Sequence, residues 1–291
     1  MSMMERTVWS GPLERSSAIE RVCQSIVASV DRAHGVEEPF YHLQFDRLFP
    51  DEVYASVLAN MPVAANYRPM HGRNNEHDLA DGTHARVKID LFSEYIRHLP
   101  PEKLAVWEVI GQALRSEIVK TAFVRRLAPE LQRRFGSRYL NIGMYPVPVL
   151  TRDVPGYEIR PHTDTHWKAI TVQVYLPRDN SMTQVGTVFH EKLNDGTLAR
   201  RAQMKFSPNT GYAFVVGEAT WHSVDPVGPE FATRDSILLA YFVDAGLLRH
   251  LRNRGKRLGN FLLNEARSLK RAARADRRRS IVGGIVGISK D

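Results

Sequence analysis

The sequence predicts a mixed fold in which helices in the first half of the chain support an antiparallel β-sandwich or jelly roll. Apolar residues recur at helical spacing through about residues 18–134, and the pattern changes to alternation from Arg138 onward. Turns rich in Pro, Gly, Asn and Asp separate the later strands, with no helices between them, which is typical of sandwiches and jelly rolls. The 291 residues, 43% of them hydrophobic, are enough for one large domain.

Two segments carry the helical prediction. In residues 49–61 the apolar side chains lie on one face of a helix that Pro62 ends. In residues 101–123 a wide apolar face predicts a second helix packed against a core. Residues 71–90 between them are rich in Asn, Asp, Gly and His, so we expect a long loop there, of the kind that often covers a functional site.

Alternating side chains predict the strands of the second half. The first strand is expected from Arg138, with Asn141 and Tyr145 on the same face. Further strands are predicted at residues 169–176, 186–191, 211–216 and 236–243. We therefore expect one domain over residues 1–248, with its helical support at about 18–134 and its jelly-roll core at about 138–244.

Positive charge is concentrated near the C-terminal end of the sequence. The net charge is +8, and residues 249–291 hold 13 lysines or arginines against 3 acidic residues. Basic residues recur there at helical spacing with apolar residues between them, so we expect a basic helical tail. Such a helix could contact an anionic surface through residues 249–280, or pack on the domain by its apolar side. We do not expect nucleic acid as its partner.

The composition also bears on location. Cys23 is the one cysteine, which excludes an intrachain disulfide framework and is typical of a reducing compartment. Residues 1–21 carry scattered charges and lack the apolar run of a signal peptide. No segment approaches the roughly 20 apolar residues that span a bilayer. We expect a cytoplasmic protein without a transmembrane segment.

Three residues in the second half predict a metal site. His162 and Asp164 are two apart at the end of an extended segment, so their side chains share one face, and His222 follows a later strand. Two imidazoles and one carboxylate on one side of a ferrous ion leave the other positions open for a cosubstrate and dioxygen. A His-x-Asp pair alone is more typical of a polar turn, so the prediction depends on all three residues occurring together.

Arg234 and Ser236 open a strongly apolar predicted strand. A buried guanidinium without a partner would cost several kcal/mol, so Arg234 is expected to bind a carboxylate with its planar fork. Ser236 lies on the same side and could donate its hydroxyl to the same group. The alternative is an ordinary ion pair between Arg234 and a nearby acid such as Asp235 or Glu230.

In this order, the His162-x-Asp164 pair, the distal His222 and the Arg234-x-Ser236 pair resemble the iron(II)- and 2-oxoglutarate-dependent oxygenase superfamily, of the bacterial small-molecule hydroxylase type. The resemblance covers about residues 139–242. It implies a double-stranded β-helix, a jelly roll whose mouth holds Fe(II) on the two histidines and the aspartate. It also implies 2-oxoglutarate and dioxygen as cosubstrates, with Arg234 and Ser236 on the distal carboxylate of 2-oxoglutarate.

The resemblance extends to further contacts of the cosubstrate. Members of the superfamily often place Tyr, Asn or Gln on the strands that flank the His-x-Asp pair. Asn141, Tyr145, Gln173 and Tyr175 have the alternation for such a role. The pattern does not distinguish among them.

The resemblance implies an enzyme that hydroxylates an unactivated C–H bond and releases succinate and carbon dioxide. Asp164 favours hydroxylation, since halogenating members usually have a small residue at this position. For the substrate, Arg73, Arg86 and Lys88, with Arg160 and Tyr157, would form a cationic rim if the 71–90 loop folds over the mouth. A cationic rim predicts a small anionic substrate.

Two other classes of protein remain open on the sequence. A metal-dependent cupin epimerase or isomerase would share the barrel, could use His190 as a ligand, and would not need Arg234 or 2-oxoglutarate. A barrel without enzymatic activity could bind anionic lipid or nucleic acid through the basic tail, but it would leave the metal ligands and Arg234 unexplained.

Overall fold

The computed structural model describes residue 9, residues 11–70, residue 79, residues 81–231 and residues 233–244. The chain divides into two units, Met1–Asp244 and Ala245–Asp291, and only the first lies within the described residues. The predicted basic tail therefore lies outside them, and so does Arg73 of the predicted rim.

Helices occupy much of the first half of the chain, as predicted. They are α1 (Pro12–Arg32), α2 (Asp51–Ala59), α3 (Ser93–Ile96), α4 (Pro101–Leu114), α5 (Glu117–Arg126) and α6 (Ala128–Phe135). The single helix predicted over residues 101–123 is divided into α4 and α5. Ser116 causes the division, because its side chain accepts a hydrogen bond from the backbone N–H of Val119 and starts a new helix.

Twelve strands lie in the described residues. They are β1 (His34–Val36), β2 (His42–Phe45), β3 (Arg68–Pro69), β4 (Arg86–Asp90), β5 (Met144–Asp153), β6 (Ile159–His162), β7 (Lys168–Tyr175), β8 (Val188–Lys192), β9 (Leu198–Gln203), β10 (Gly211–Val215), β11 (Trp221–Val224) and β12 (Arg234–Val243). The strands predicted at 169–176, 186–191, 211–216 and 236–243 correspond to β7, β8, β10 and β12.

Two predictions of local structure were wrong. Residues 136–141 form a 3-10 turn, and the strand predicted from Arg138 starts only at Met144, so Asn141 is not on a strand. The loop predicted over residues 71–90 ends in β4, which pairs with β5 from Arg86 to Asp90. The Asn-rich and Gly-rich composition before β4 concealed its short alternation of charged and apolar residues.

The strands form two antiparallel sheets in the order of a double-stranded β-helix. The large sheet has the order β1-β2-β10-β7-β12-β5-β4-β3, and the small sheet has the order β6-β11-β8-β9. From β5 onward, the chain supplies β5, β7, β10 and β12 to the large sheet and β6, β8, β9 and β11 to the small one. This topology confirms the predicted jelly-roll core and brings β6 and β11 together.

Successive side chains of β12 point alternately to the two faces of the large sheet, toward the helices and toward the small sheet. Ile237, Leu239 and Tyr241 are fully buried on the face covered by the helices, in a core shared with α1, α4 and α5. Arg234 and Leu238 point to the other face and line a cavity. A second apolar cluster, made largely of aromatic rings, fills the space beside that cavity and includes Tyr175, Phe189, Phe206, Tyr212 and Phe214. Within the described residues no helix is long and apolar enough to cross a membrane.

Candidate active site

The three predicted metal ligands lie together at the open end of the small sheet. His162 ends β6, His222 lies on the adjacent β11, and the two are direct cross-strand partners. Their ring centroids are 4.4 Å apart. Asp164 follows β6 by two residues, and the candidate ligand atoms of the three side chains all lie within 4.8 Å of one another. This set of two nitrogens and one oxygen could hold one metal ion.

Both histidines are oriented by the backbone. Nδ1 of His162 lies 2.9 Å from the carbonyl oxygen of Arg160, and Nδ1 of His222 lies 3.0 Å from the carbonyl oxygen of Thr220. A carbonyl only accepts hydrogen bonds, so each Nδ1 must carry the proton and donate it. The lone pair of each neutral ring is thereby left on Nε2, as in many metal sites.

Burial and neighbouring charges give His162, His222 and Asp164 the protonation states that bind a cation. Burial lowers the pKa of His162, and it lowers the pKa of His222 to about 4, so both imidazoles are neutral near pH 7. Burial alone would raise the pKa of the Asp164 carboxyl, but Lys168, His222 and the hydroxyl of Thr171 hold that pKa well below its usual range. Two neutral imidazoles and an ionised carboxylate fit a ferrous ion.

Asp164 is held in place from both sides. Its Oδ1 accepts from Nζ of Lys168 at 2.5 Å, and its Oδ2 accepts from Oγ1 of Thr171 at 2.5 Å. Lys168 and Thr171 both belong to β7, so the large sheet positions the one ligand that does not lie on a strand. A metal ion on Asp164 would share the carboxylate with these two donors.

A cavity of about 170 Å³ opens beside the three ligands and runs between the two sheets. This volume is similar to that of cavities of ~150 Å³ that hold a benzene-sized molecule, so the cavity has room for a small organic molecule. The lining residues include charged, polar and apolar side chains: Met70, Arg86, Ile159, His162, Asp164, Lys168, Thr171, Gln173, Thr187, Tyr212, His222, Val224, Arg234 and Leu238.

Arg234 lines the cavity but has an ion-pair partner that the sequence did not suggest. Its Nη1 donates to Oδ2 of Asp153 at 2.7 Å, and the two side chains are 1% and 0% exposed. Burial lowers the pKa of the Arg234 guanidinium, but the Asp153 carboxylate raises it, and the net shift is upward. The expected alternative partner, Asp235, instead accepts from Arg152 on the opposite face of the sheet.

Ser236 belongs to a hydrogen-bond network of the large sheet. Its hydroxyl accepts from Nε2 of Gln173 at 2.5 Å and lies 2.9 Å from Oγ1 of Thr151. Gln173 reaches the cavity, whereas Ser236 lies behind it and fixes the amide of Gln173. Of the predicted cosubstrate contacts, Arg234 and Gln173 therefore line the cavity directly.

The other predicted side chains lie elsewhere. Asn141 is exposed in the 3-10 turn, and Tyr145 stacks on Phe242 at a centroid distance of 5.7 Å, so neither lines the cavity. Tyr157 is fully buried and does not line the cavity, so its predicted place in the cationic rim was wrong. His190 bonds through Nε2 to the hydroxyl of Ser223 at 2.8 Å and is not part of the metal-ligand set.

Sequence reasoning missed the polar residues that surround the ligands. Thr187 accepts hydrogen bonds from the phenols of Tyr175 at 3.0 Å and Tyr212 at 2.9 Å. Lys168 and Asp153 were also missed. Nothing in the local sequence marks these residues, because their partners come from strands distant in the chain.

Solved structures match this chain at low sequence identity, whereas two other comparisons find no match. No protein-family model matches the chain, and no curated protein matches it. A prolyl hydroxylase from Trichoplax adhaerens, in complex with a hypoxia inducible factor oxygen degradation domain peptide fragment, is 14% identical, with 80% of this chain and 94% of that one covered and a TM-score of 0.45. A Pseudomonas putida prolyl-4-hydroxylase is 16% identical, with 76% and 98% covered and a TM-score of 0.41. A Burkholderia pseudomallei oxidoreductase of the 2OG-Fe(II) oxygenase family is 13% identical, with 80% and 91% covered and a TM-score of 0.39.

Proposed function

We propose that this chain is a non-haem iron(II)- and 2-oxoglutarate-dependent dioxygenase that hydroxylates an unactivated C–H bond of a small anionic substrate. The observation that carries the proposal is the set His162, Asp164 and His222, with ligand atoms within 4.8 Å, on the wall of a cavity that also contains guanidinium groups. Two histidines and a carboxylate are the facial ligand set of ferrous oxygenases.

The chemistry of such a site is known in outline. Ferrous iron would supply the activation of dioxygen, and a substrate RH, 2-oxoglutarate and O2 would become ROH, succinate and carbon dioxide. His162 and His222 would hold the metal through Nε2, because their Nδ1 protons are engaged by backbone carbonyls. Asp164 would supply the anionic ligand in the orientation that Thr171 and Lys168 fix.

The remaining cavity residues would bind and protect the cosubstrate. Cationic groups at Arg86 and Arg234 suit its distal carboxylate. Apolar side chains at Ile159, Val224 and Leu238 would exclude water from the reacting atoms. Gln173 would add a polar contact whose orientation Ser236 determines.

The anionic substrate is supported by the edge strands beside the cavity. Arg68 on β3 and Lys88 on β4 both form an ion pair with Asp90, so two cations lie close together on this edge. Lys88 has the same side-chain parity along β4 as Arg86, which lines the cavity. Burial, with Arg68 nearby, lowers the pKa of Lys88 to about 8, so an anion at this edge would also restore its full protonation.

Uncoupled turnover tests the proposal without knowledge of the substrate. Protein purified without oxygen would be incubated with ferrous iron and 2-oxoglutarate, exposed to air, and assayed for succinate. We expect succinate from the wild type, none above background from His162→Ala, and wild-type amounts from His34→Ala, which removes an exposed histidine on β1. Equal succinate from wild type and His162→Ala would contradict the proposal.

A further inference from the structure

We infer that one end of the cavity is a two-arginine site, formed by Arg86 and Arg234, that binds a carboxylate of the ligand. Arg86, which lies on a strand outside the eight jelly-roll strands, supplies the cation for that carboxylate. The buried Asp153 compensates one of the two positive charges. The inference rests on the proposed function and assigns to Arg86 the role in cosubstrate selection that the sequence assigned to Arg234. Both arginines line the cavity, and both contact Asp153.

Arg234 is already engaged by the protein. Its Nε donates to the carbonyl of Val185 at 2.7 Å, its Nη1 donates to Asp153 at 2.7 Å, and its Nη2 lies 3.4 Å from Oγ1 of Thr187. The guanidinium also lies 5.5 Å from the ring centroid of Tyr175. It shares the Asp153 carboxylate with Arg86, and three of its five N–H donors have a protein acceptor.

Arg86 is the second cation on the same carboxylate. It is the cross-strand partner of Asp153 on β5, and its Nε lies 2.7 Å from Oδ1 of Asp153. Its guanidinium lies over the ring of Tyr157 at 4.7 Å, which fixes its plane. The Arg86 side chain is 13% exposed, against 1% for Arg234, so it is the more accessible of the two at the cavity.

The charges of this cluster do not cancel. Two guanidinium groups and one carboxylate leave one positive charge in a largely buried place, which is costly unless an anion compensates it. One carboxylate of a ligand would bring the total to zero. A phosphate, with a charge of about −1.5 to −2, would overcompensate.

Thr187 provides an additional donor at this end of the cavity. Its oxygen accepts from the phenols of both Tyr175 and Tyr212, and Nη2 of Arg234 approaches the same oxygen at 3.4 Å. Its own hydroxyl hydrogen is then available to an acceptor in the cavity that it lines. A carboxylate between Arg86 and Thr187 would receive hydrogen bonds from a cation and from a neutral hydroxyl.

Calorimetric titration of Mn(II)-loaded protein tests this assignment without turnover. The ligands are 2-oxoglutarate and 2-oxobutyrate, which keeps the 2-oxo acid but lacks the distal carboxylate. We expect Arg86→Gln to weaken 2-oxoglutarate binding roughly 10-fold to 100-fold, as for the loss of a charged hydrogen bond. Binding of 2-oxobutyrate should change less than about twofold, since it never contacts Arg86. Arg86→Lys, which keeps the charge but loses the fork, should be intermediate.

Arg152→Gln is the matched control. Arg152 precedes Asp153 on the same strand, pairs with Asp235 at 2.7 Å, and lies over the ring of Tyr67 on the opposite face of the sheet. The Arg152→Gln substitution therefore removes a comparable ion pair without changing the cavity, and the affinity for 2-oxoglutarate should stay at the wild-type value. Equal weakening in Arg152→Gln and Arg86→Gln would overturn the assignment of Arg86.

Asp153→Asn gives an independent check that does not depend on removing a cation. It raises the net charge of the cluster by one, so the ligand-free protein should melt at a lower temperature, and 2-oxoglutarate should raise that temperature more than in the wild type. A smaller rise than in the wild type would overturn the inference.

The failure of this inference can be told apart from failure of the proposed function. If the wild type binds Mn(II) and 2-oxoglutarate but Arg86→Gln binds both as tightly, the two-arginine site is wrong and the oxygenase proposal stands. If the wild type binds Mn(II) but not 2-oxoglutarate, both are wrong.

Discussion

His162 and His222 face each other across adjacent strands, and each donates its Nδ1 proton to the carbonyl oxygen two residues before it in the chain. The same local geometry thus occurs on β6 and on β11. Because the backbone fixes both rings, their Nε2 lone pairs are set before any metal binds, which lowers the cost of ordering the ligands. The site is a product of strand pairing and of where each histidine lies in its strand.

The stability of the metal-free protein should depend on pH through His222. The pKa of this ring is about 4 in the folded protein and about 6.5 in the unfolded chain, so only the unfolded chain takes up the proton between these values. The free energy of unfolding should therefore fall as the pH is lowered from about 6.5 to about 4, by roughly 3 kcal/mol from this group. Urea unfolding across that range measures the slope. His222→Gln should flatten this slope, and an unchanged slope in His222→Gln would contradict the buried, neutral state.

Lys168 should stabilise the metal-free protein and compete with metal. Its ammonium lies 2.5 Å from Asp164 and is the cation nearest to that carboxylate among the described contacts. Lys168→Met leaves Asp164 buried without this partner, which should lower the free energy of unfolding by roughly 3 kcal/mol. The rise in melting temperature on adding Mn(II) should become larger than in the wild type. Lys205→Met, at an exposed lysine, serves as the control, and a smaller metal effect in Lys168→Met would contradict the competition.

The Arg234–Asp153 pair should behave as a unit. Asp153→Leu leaves both Arg234 and Arg86 without their carboxylate, so it should lower the free energy of unfolding by roughly 3–5 kcal/mol. Arg234→Met leaves Asp153 paired with Arg86 and should lower it less. The double variant replaces the pair by apolar side chains and should lose clearly less than the two single losses added together. Chemical denaturation of the three variants measures this coupling, and strict additivity would show that the two groups do not depend on each other.

The ligand set could be predicted from the sequence because it depends on local features. His162 and Asp164 are two apart at a strand end and His222 follows a strand, and the prediction came from these residues occurring together with Arg234 in the order of the oxygenase motif. The partner of Arg234 could not be predicted this way, because Asp153 lies 81 positions away and meets it only through pairing of β5 with β12. The expected role of Asn141 failed for a different reason, since Gly136 starts a 3-10 turn where alternation suggested a strand.

The position of Arg86 on β4, next to the edge strand of the large sheet, could also not be predicted from the sequence. Arg86 was expected in a loop that forms a cationic rim over the mouth, because residues 71–90 have the composition of a loop. In the structure β4 adds to the jelly-roll strand β5 and carries Arg86 into the cavity wall. Such an added strand has no signature beyond five alternating residues, which is too short a pattern to distinguish it from a loop.

Close packing of β10 against β7 should be required for the position of Gln173. A Cβ at Gly211 would collide with the backbone carbonyl of Gln173, whereas a Cβ at Gly217 would have only a side-chain carbon of Thr220 at 3.9 Å. Gly211→Ala should therefore lower the free energy of unfolding by roughly 1–3 kcal/mol and lower the melting temperature accordingly. Gly217→Ala should change both little. Thermal unfolding of the two variants measures the difference. Equal stability of the two would contradict the register of these strands.

If His162, Asp164 and His222 hold a ferrous ion, 2-oxoglutarate should bind to that ion through its 2-oxo acid group. The most direct measurement is an anaerobic absorption titration, in which chelation of ferrous iron by a 2-oxo acid gives a weak visible charge-transfer band. We predict that the band grows to saturation when 2-oxoglutarate is added to the Fe(II)-loaded wild type, and that it is absent in His222→Ala. A wild-type protein that binds ferrous iron but develops no band at saturating 2-oxoglutarate would contradict the claim.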